Sequence, residues 1–259
     1  MAITADNQLI GAGNGEGGAP FITRRIFYFK FDLNGNALWI RSSNDTRPIY
    51  TRALLPTSQS EYFLVNDIFD NNSSTKADPI NQGVAAGDGA ITWTSPRYDY
   101  IPGMPYVDDV YAGALGHGGN VYTTGRSYVA LGPGTMRPFI SKFNANGVHL
   151  WSKYYVASSV NEARVYGIDI IHADDELTVC YFGDINQYSS NYRVGLIHTD
   201  TLGNFIWGKD YQINNFSSEL SYKVVRMPYG YAITGYGIGG TNDLFAVCLL
   251  YTSPSPRDS

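Results

Sequence analysis

The sequence predicts an all-β fold, a β-propeller fragment of four-stranded antiparallel blades with a period of about 56 residues. Three observations predict it. All four tryptophans, Trp39, Trp93, Trp151 and Trp207, stand four residues after a glycine: Gly35, Gly89, Gly147 and Gly203. The tryptophans are spaced by 54, 58 and 56 residues. The composition is that of a β-rich chain: 16% of the 259 residues are charged, against about a quarter in an ordinary globular protein, while Gly (28), Tyr (21) and Pro (12) are plentiful.

Taken along the chain, Ile3 to Gly13 reads as the second strand of a blade, so the sequence begins inside one. A hairpin follows, an aromatic run from Ile26, a turn at Asn34-Gly35 and a strand through Trp39. Asn-Gly and Asp-Gly tolerate the positive φ angles of tight hairpins, and the same turn recurs at Asp88-Gly89, Asn146-Gly147 and Gly203-Asn204. Between hairpins lies a second pair of strands: 53–57 with 62–65, 107–114 with 120–125, 165–171 with 176–183, and 222–226 with 231–235. Residues 66–83 and 95–105 are expected as loops that lengthen the period. A lone four-stranded sheet cannot bury both faces, so blades stack, and a tryptophan at the same place in each is the largest apolar filler for that interface. The tryptophans are therefore expected to be structural, and truncating a fully buried one would cost about 3–5 kcal/mol.

In the last repeat, Leu244 to Val247 opens the strand that elsewhere carries Lys30, Lys142 or His198 five residues before the glycine. Cys248 to Ser259 then departs from the pattern. These twelve residues resemble the translation of a transposase-type sequencing adapter, which implies that 248–259 are non-native. Residues 1–247 would then be propeller, incomplete at both ends, about 4.4 blades at a period of 56.

The net charge of −5 offers no basic patch for nucleic acid, and no apolar run is long enough for membrane insertion as a helix. Two cysteines, Cys180 and Cys248, make neither a disulfide framework nor a CxxC motif. No catalytic, cofactor-binding or metal-binding residue is read from the sequence, and no cofactor is expected. The glycine-rich stretches 11–18, 116–119 and 235–240 lack a following helix and a Gly-Lys-Ser/Thr motif. The acidic stretch 66–78 lacks the spacing of an EF-hand loop, Asp108-Asp109 is a weaker signal still, and His117, His149, His172 and His198 form no HxH or HExxH pattern.

Lys30-Phe-Asp-x-x-Gly35-x-x-x-Trp39-x-Arg41, seen more loosely around Gly147 and Gly203, resembles the repeats of large secreted bacterial β-propeller proteins, often exported through type IX secretion. That resemblance implies an extracellular or cell-surface location. Two enzyme-bearing propeller families differ from it. The sialidase Asp box places Trp three residues after Gly, and the quinone-dependent dehydrogenase repeat has Asp four residues before Gly, not three as at Asp32.

The first expectation is a non-catalytic propeller, not an enzyme, that binds glycan or protein through loop tyrosines such as Tyr98, Tyr100 and Tyr106. The alternatives are a propeller lyase or hydrolase with its active site in blades not present, and a non-catalytic quinone-type scaffold of the envelope. A cluster of carboxylates converging with Arg or Lys at the axial channel would favour the enzyme, and a channel lined by Asn, Ser and Tyr would favour binding.

Overall fold

The computed structural model describes residues 1–16, 24–43, 49–69, 77–97, 108–128, 136–156, 164–184, 192–213, 217–238 and 242–250. They fall into two compact units, Met1–Ala130 with Phe139–Tyr154, and Leu131–Pro138 with Tyr155–Ser259. Unit 1 holds three antiparallel four-stranded sheets. The first comprises β1 (Ala2–Ile3), β2 (Leu9–Glu16), β3 (Arg24–Phe31) and β4 (Ala37–Ser42); the second β5 (Ile49–Leu55), β6 (Glu61–Phe69), β7 (Ala77–Ala85) and β8 (Ile91–Thr94). The third comprises β9 (Asp109–Leu115), β10 (Val121–Tyr128), β11 (Met136–Phe143) and β12 (His149–Tyr154), all but Met136–Pro138 within unit 1. Unit 2 holds β13 (Val165–Ala173), β14 (Glu176–Asp184), β15 (Tyr192–Asp200) and β16 (Phe205–Tyr211), then a three-stranded sheet of β17 (Ser218–Met227), β18 (Gly230–Ile238) and β19 (Asn242–Leu250). Strands are hydrogen-bonded in chain order within every sheet. This is the all-β propeller architecture that the repeat predicts.

Two differences from expectation change what is strand and what is loop, beyond shifts of a few residues at strand ends. Ala2–Ile3 forms a first strand of its own, paired with Leu9 and Ile10, so the first sheet has four strands. Residues 66–83 are mostly strand: β6 continues to Phe69, and Asn66, Asp67 and Ile68 pair with Ile80, Pro79 and Asp78 of β7. Buried Ile68, packed in one cluster with Ile80, supplies the apolar face that holds this polar stretch in the sheet.

The Gly-x-x-x-Trp spacing has a physical cause. Asp32, Asn144 and Asp200 stand three residues before the glycine, and each accepts backbone N–H bonds on Oδ1 from residues two and four further on. That closes the turn and leaves the glycine at positive φ, 85° at Gly35, 77° at Gly147 and 73° at Gly203. In unit 1 the tryptophan of one sheet then lies on the turn glycine of the next, Trp39 on Gly89 and Trp93 on Gly147. A Cβ on Gly89 would stand 2.7 Å from Trp39, and one on Gly147 would enter the Trp93 ring. Gly147→Ala therefore combines a disfavoured φ with a clash, and is expected to destabilise unit 1 by roughly 1–3 kcal/mol in urea titration. A change under a few tenths of a kcal/mol would contradict this packing.

Candidate functional site

The first strand of each sheet from the second onward carries a bulge at the same register. Thr51 pairs with Asn66 and Ala53 with Val65, leaving Arg52 as the extra residue. Val110 pairs with Gly125 and Ala112 with Thr124, leaving Tyr111. A bulge turns its extra side chain away from the regular alternation. In unit 1, where β5 lies against β9, the two extra residues meet: the Arg52 guanidinium centre lies 5.3 Å from the Tyr111 ring and 5.3 Å from the Tyr50 ring.

Two carboxylates lie beneath this stack. Asp67, near the end of β6, is fully buried. Its Oδ2 accepts Arg52 Nε at 2.9 Å, and its Oδ1 accepts the backbone N–H of Val110 at 2.9 Å. Asp109, which opens β9, is also buried, and its Oδ2 accepts Arg126 through Nε and Nη2 and the Tyr111 hydroxyl at 3.3 Å. Asp109 and Arg126 are paired residues of β9 and β10. Arg126 lies 6.0 Å from the Tyr111 ring, extending the stack. Burial pushes the Asp67 carboxyl up to about 7, with Asp109 pushing the same way and Arg52 and the Val110 N–H opposing. Burial, and then Asp109, also raises the Tyr111 hydroxyl. Both Asp67 oxygens are taken by N–H donors, which makes this an ion-pair cluster rather than a cage for a cation.

The neighbouring sheet supplies an internal comparison. Ile10 of β2 and Phe63 of β6 hold the same register against the Trp-bearing hairpins, so Asn14 and Asp67 are equivalent. Asn14 Oδ1 accepts the Thr51 N–H at 2.8 Å, as Asp67 accepts that of Val110. A neutral amide therefore suffices for the link between sheets. The carboxyl at Asp67 adds a titratable group, an Arg partner and coupling to Asp109.

The cluster sits where β6 ends and β5 and β9 begin, at the end of the sheets joined by the longer connections. Tyr98, Tyr100 and Tyr106 belong to the connection leading into Asp108, outside the described residues. At the tight-turn end of unit 1, a cavity of about 580 Å³ is lined by Asp6, Ser58, Gln59 and Tyr62 among others, and Lys30 pairs with Asp6 there at 3.5 Å. The repeat residues lie apart from the cluster: Trp39 is buried, and Trp93, Trp151 and Trp207 are half-buried. Cys180 is buried, and burial pushes its thiol up to about 12, so it is no nucleophile near neutrality.

Unit 2 has a second polar cluster. His198, at the register of Lys30, stacks on Trp207 at 5.0 Å, donates from Nε2 to Glu176 Oε2 at 2.8 Å, and lies 2.9 Å from Thr178 Oγ1 at Nδ1. Tyr231 of the adjoining sheet closes it, accepting Arg226 Nη1 at 2.7 Å. Burial first, and Arg226 last, lower the His198 pKa from its ordinary 6.5, against the pull of Glu176. A depressed folded pKa means stability that is complete above about 6.5 and is lost as pH falls through the folded value. Melts of wild type and His198→Gln between pH 8 and 5 should therefore converge on acidification. A constant gap between them would contradict this.

No protein-family model matches the chain, and no curated protein matches it. Solved structures match its fold. A protein of unknown function from Dyadobacter fermentans superposes with a TM-score of 0.57 at 11% identity, over 96% of this chain and 77% of that one. An α-L-arabinofuranosidase from Fusarium graminearum, in complex with an iminosugar inhibitor, gives 0.56 at 10%, over 95% and 73%. A point mutant of B. megaterium levansucrase gives 0.51 at 8%, over 86% and 70%.

These findings correct the leading functional expectation. The non-catalytic binding module, and with it the leaning against an enzyme, is overturned: the architecture is one that two glycan-acting enzymes share. Carboxylates converge with guanidinium groups at Asp67, Asp109, Arg52 and Arg126. The sequence shows Asp67 and Asp109 only as weak cation-binding signals, because the stretch 66–78 reads as loop, and it does not single out Arg52 and Tyr111, which meet only through bulges. A charged residue in the same strand register as Asn14 was the available signal.

Proposed function

We propose that this chain belongs to a secreted propeller enzyme that cleaves glycosidic bonds, acting at the Asp67–Asp109 cluster. The observation that carries the reading is the pair of buried carboxyl groups at the two ends of one stack, Asp67 on Arg52 and Asp109 on Arg126, with the Tyr111 ring between the two guanidinium groups. Cleavage of a glycosidic bond asks for a carboxyl that gives a proton to the leaving oxygen and a carboxylate that activates water or attacks the anomeric carbon. Asp109 retains some solvent access, 6% of its side chain against none for Asp67, and is held by Arg126, so Asp109 takes the carboxylate's part as the base that activates water, and the proton donor is a group other than these two. Asp67 is a positioning residue behind it, fixing Arg52 and setting the field at Asp109.

The fold neighbours guide the choice of glycans to try. The test incubates the full chain with arabinan, levan, sucrose, 4-nitrophenyl α-L-arabinofuranoside and pectic polysaccharides and measures released reducing ends or nitrophenol. Release from at least one, abolished in Asp109→Asn, is expected. A flat result across the panel would sink the reading. We further propose an extracellular location and an adapter origin for residues 248–259. Resequencing the source DNA beyond the codon for Val247 tests the second.

A further inference from the structure

Arg52 is held more firmly than an ordinary surface arginine, and one edge of it is left open. Its Nε is tied to buried Asp67 at 2.9 Å, and the rings of Tyr50 and Tyr111 each lie 5.3 Å from the guanidinium centre. Among the described residues neither Nη nitrogen has a hydrogen-bond partner, and 24% of the side chain remains exposed. A guanidinium with two Nη groups free in one plane matches the two oxygens of a carboxylate. Because the stack and Asp67 already fix the side chain, little ordering remains to be done when a ligand arrives.

We infer that the open edge of Arg52 is the receptor for a carboxylate carried by the glycan, so that the substrate class is acidic, a uronate-containing glycan. This deepens the proposed function and rests on the cluster being the glycan site. The charge balance supports it. Arg126 is matched by Asp109, whereas Asp67, pushed up to about 7, supplies Arg52 with only part of a countercharge near neutrality. A carboxylate of the substrate would complete the pairing of Arg52. A neutral fructan or arabinan offers only hydroxyls, which accept from the guanidinium but bring no countercharge.

Trigalacturonate is titrated calorimetrically into the full chain, alongside its methyl ester, arabinotriose and dextran sulfate, with wild type, Arg52→Lys and Arg52→Gln. Folding of each variant is checked by circular dichroism; Asp67, already inclined to hold its proton, accommodates the loss of its partner. The acid is expected to bind at least about tenfold more tightly than its methyl ester, and Arg52→Lys, which keeps the charge and loses the fork, to lose about tenfold or more. Equal binding of acid and ester, an Arg52→Lys variant like wild type, binding of the sulfated polymer alone, or no binding of the acid each overturns the inference. Binding of the acid through Arg52 without cleavage of any glycan would sink the enzyme reading and leave this one standing. Cleavage of neutral glycans alone would do the reverse.

Discussion

Trp39→Ala is expected to destabilise the protein by about 3–5 kcal/mol, the range for truncating a buried large aromatic. Trp39 is 7% exposed and sits in a cluster with Ile10, Tyr28, Leu54, Tyr62 and Leu64. It meets Tyr28 edge-on at 6.1 Å and Tyr62, in the next sheet, at 6.4 Å. Its Nε1 donates to the Ala86 carbonyl at 3.1 Å, and Lys30 Nζ donates to the same oxygen at 3.2 Å. Truncation would remove the ring that covers Gly89 while Lys30 still satisfies Ala86, so the loss is one of packing rather than of an orphaned carbonyl. Spread over a unit of this size, it should lower the melting temperature by roughly 6–20 °C. Trp39→Phe keeps most of the ring contact and should lose about 1–2 kcal/mol. Trp207→Ala should fall between them, since Trp207 is only half-buried against His198 and Tyr231. Denaturant unfolding of the three variants gives the order directly, and a Trp39→Ala loss below about 1 kcal/mol would refute the role assigned to the repeat tryptophan.

The hairpins were legible because their cause is local. A turn carboxamide or carboxylate, a glycine at positive φ and a tryptophan four residues later lie within eight residues, and the sequence repeats them. Why the glycine tolerates no substitute was half hidden: Trp39 lies on Gly89, fifty residues away and in another sheet. The candidate site was hidden almost entirely. Asn66-Asp67 looks like loop because polar residues usually face water, yet Asp67 is buried against a backbone N–H of β9, 43 residues further on. Nothing in a linear reading says that Arg52 and Tyr111 are the extra residues of two bulges. What the sequence does offer is the match between Asn14 and Asp67 in strand register, a change from amide to acid where the link between sheets needs only the amide.

That match makes the second large effect separable from folding. Asp109→Asn is expected to lower turnover of a cleaved glycan by about 10²–10⁴-fold, the usual contribution of a positioned acid–base group, with KM little changed. Asp67→Asn should leave the fold intact, because Asn14 makes the same link to Thr51. Its effect should appear in pH dependence instead. The folded pKa of Asp67 is raised from 3.8 to about 7, so the protein is most favoured below the unfolded value and loses stability as pH rises between the two. Asp67→Asn removes that loss, and its melting temperature should fall less between pH 5 and 8 than that of wild type. The turnover profile should likewise lose any limb near pH 7, with only a modest drop in kcat, since Asp67 acts through Asp109 and Arg52 rather than on the substrate. A wild-type kcat in Asp109→Asn would remove Asp109 from the mechanism. An unchanged limb near pH 7 in Asp67→Asn would show that another group titrates there, and would confine Asp67 to the structural link that Asn14 already performs.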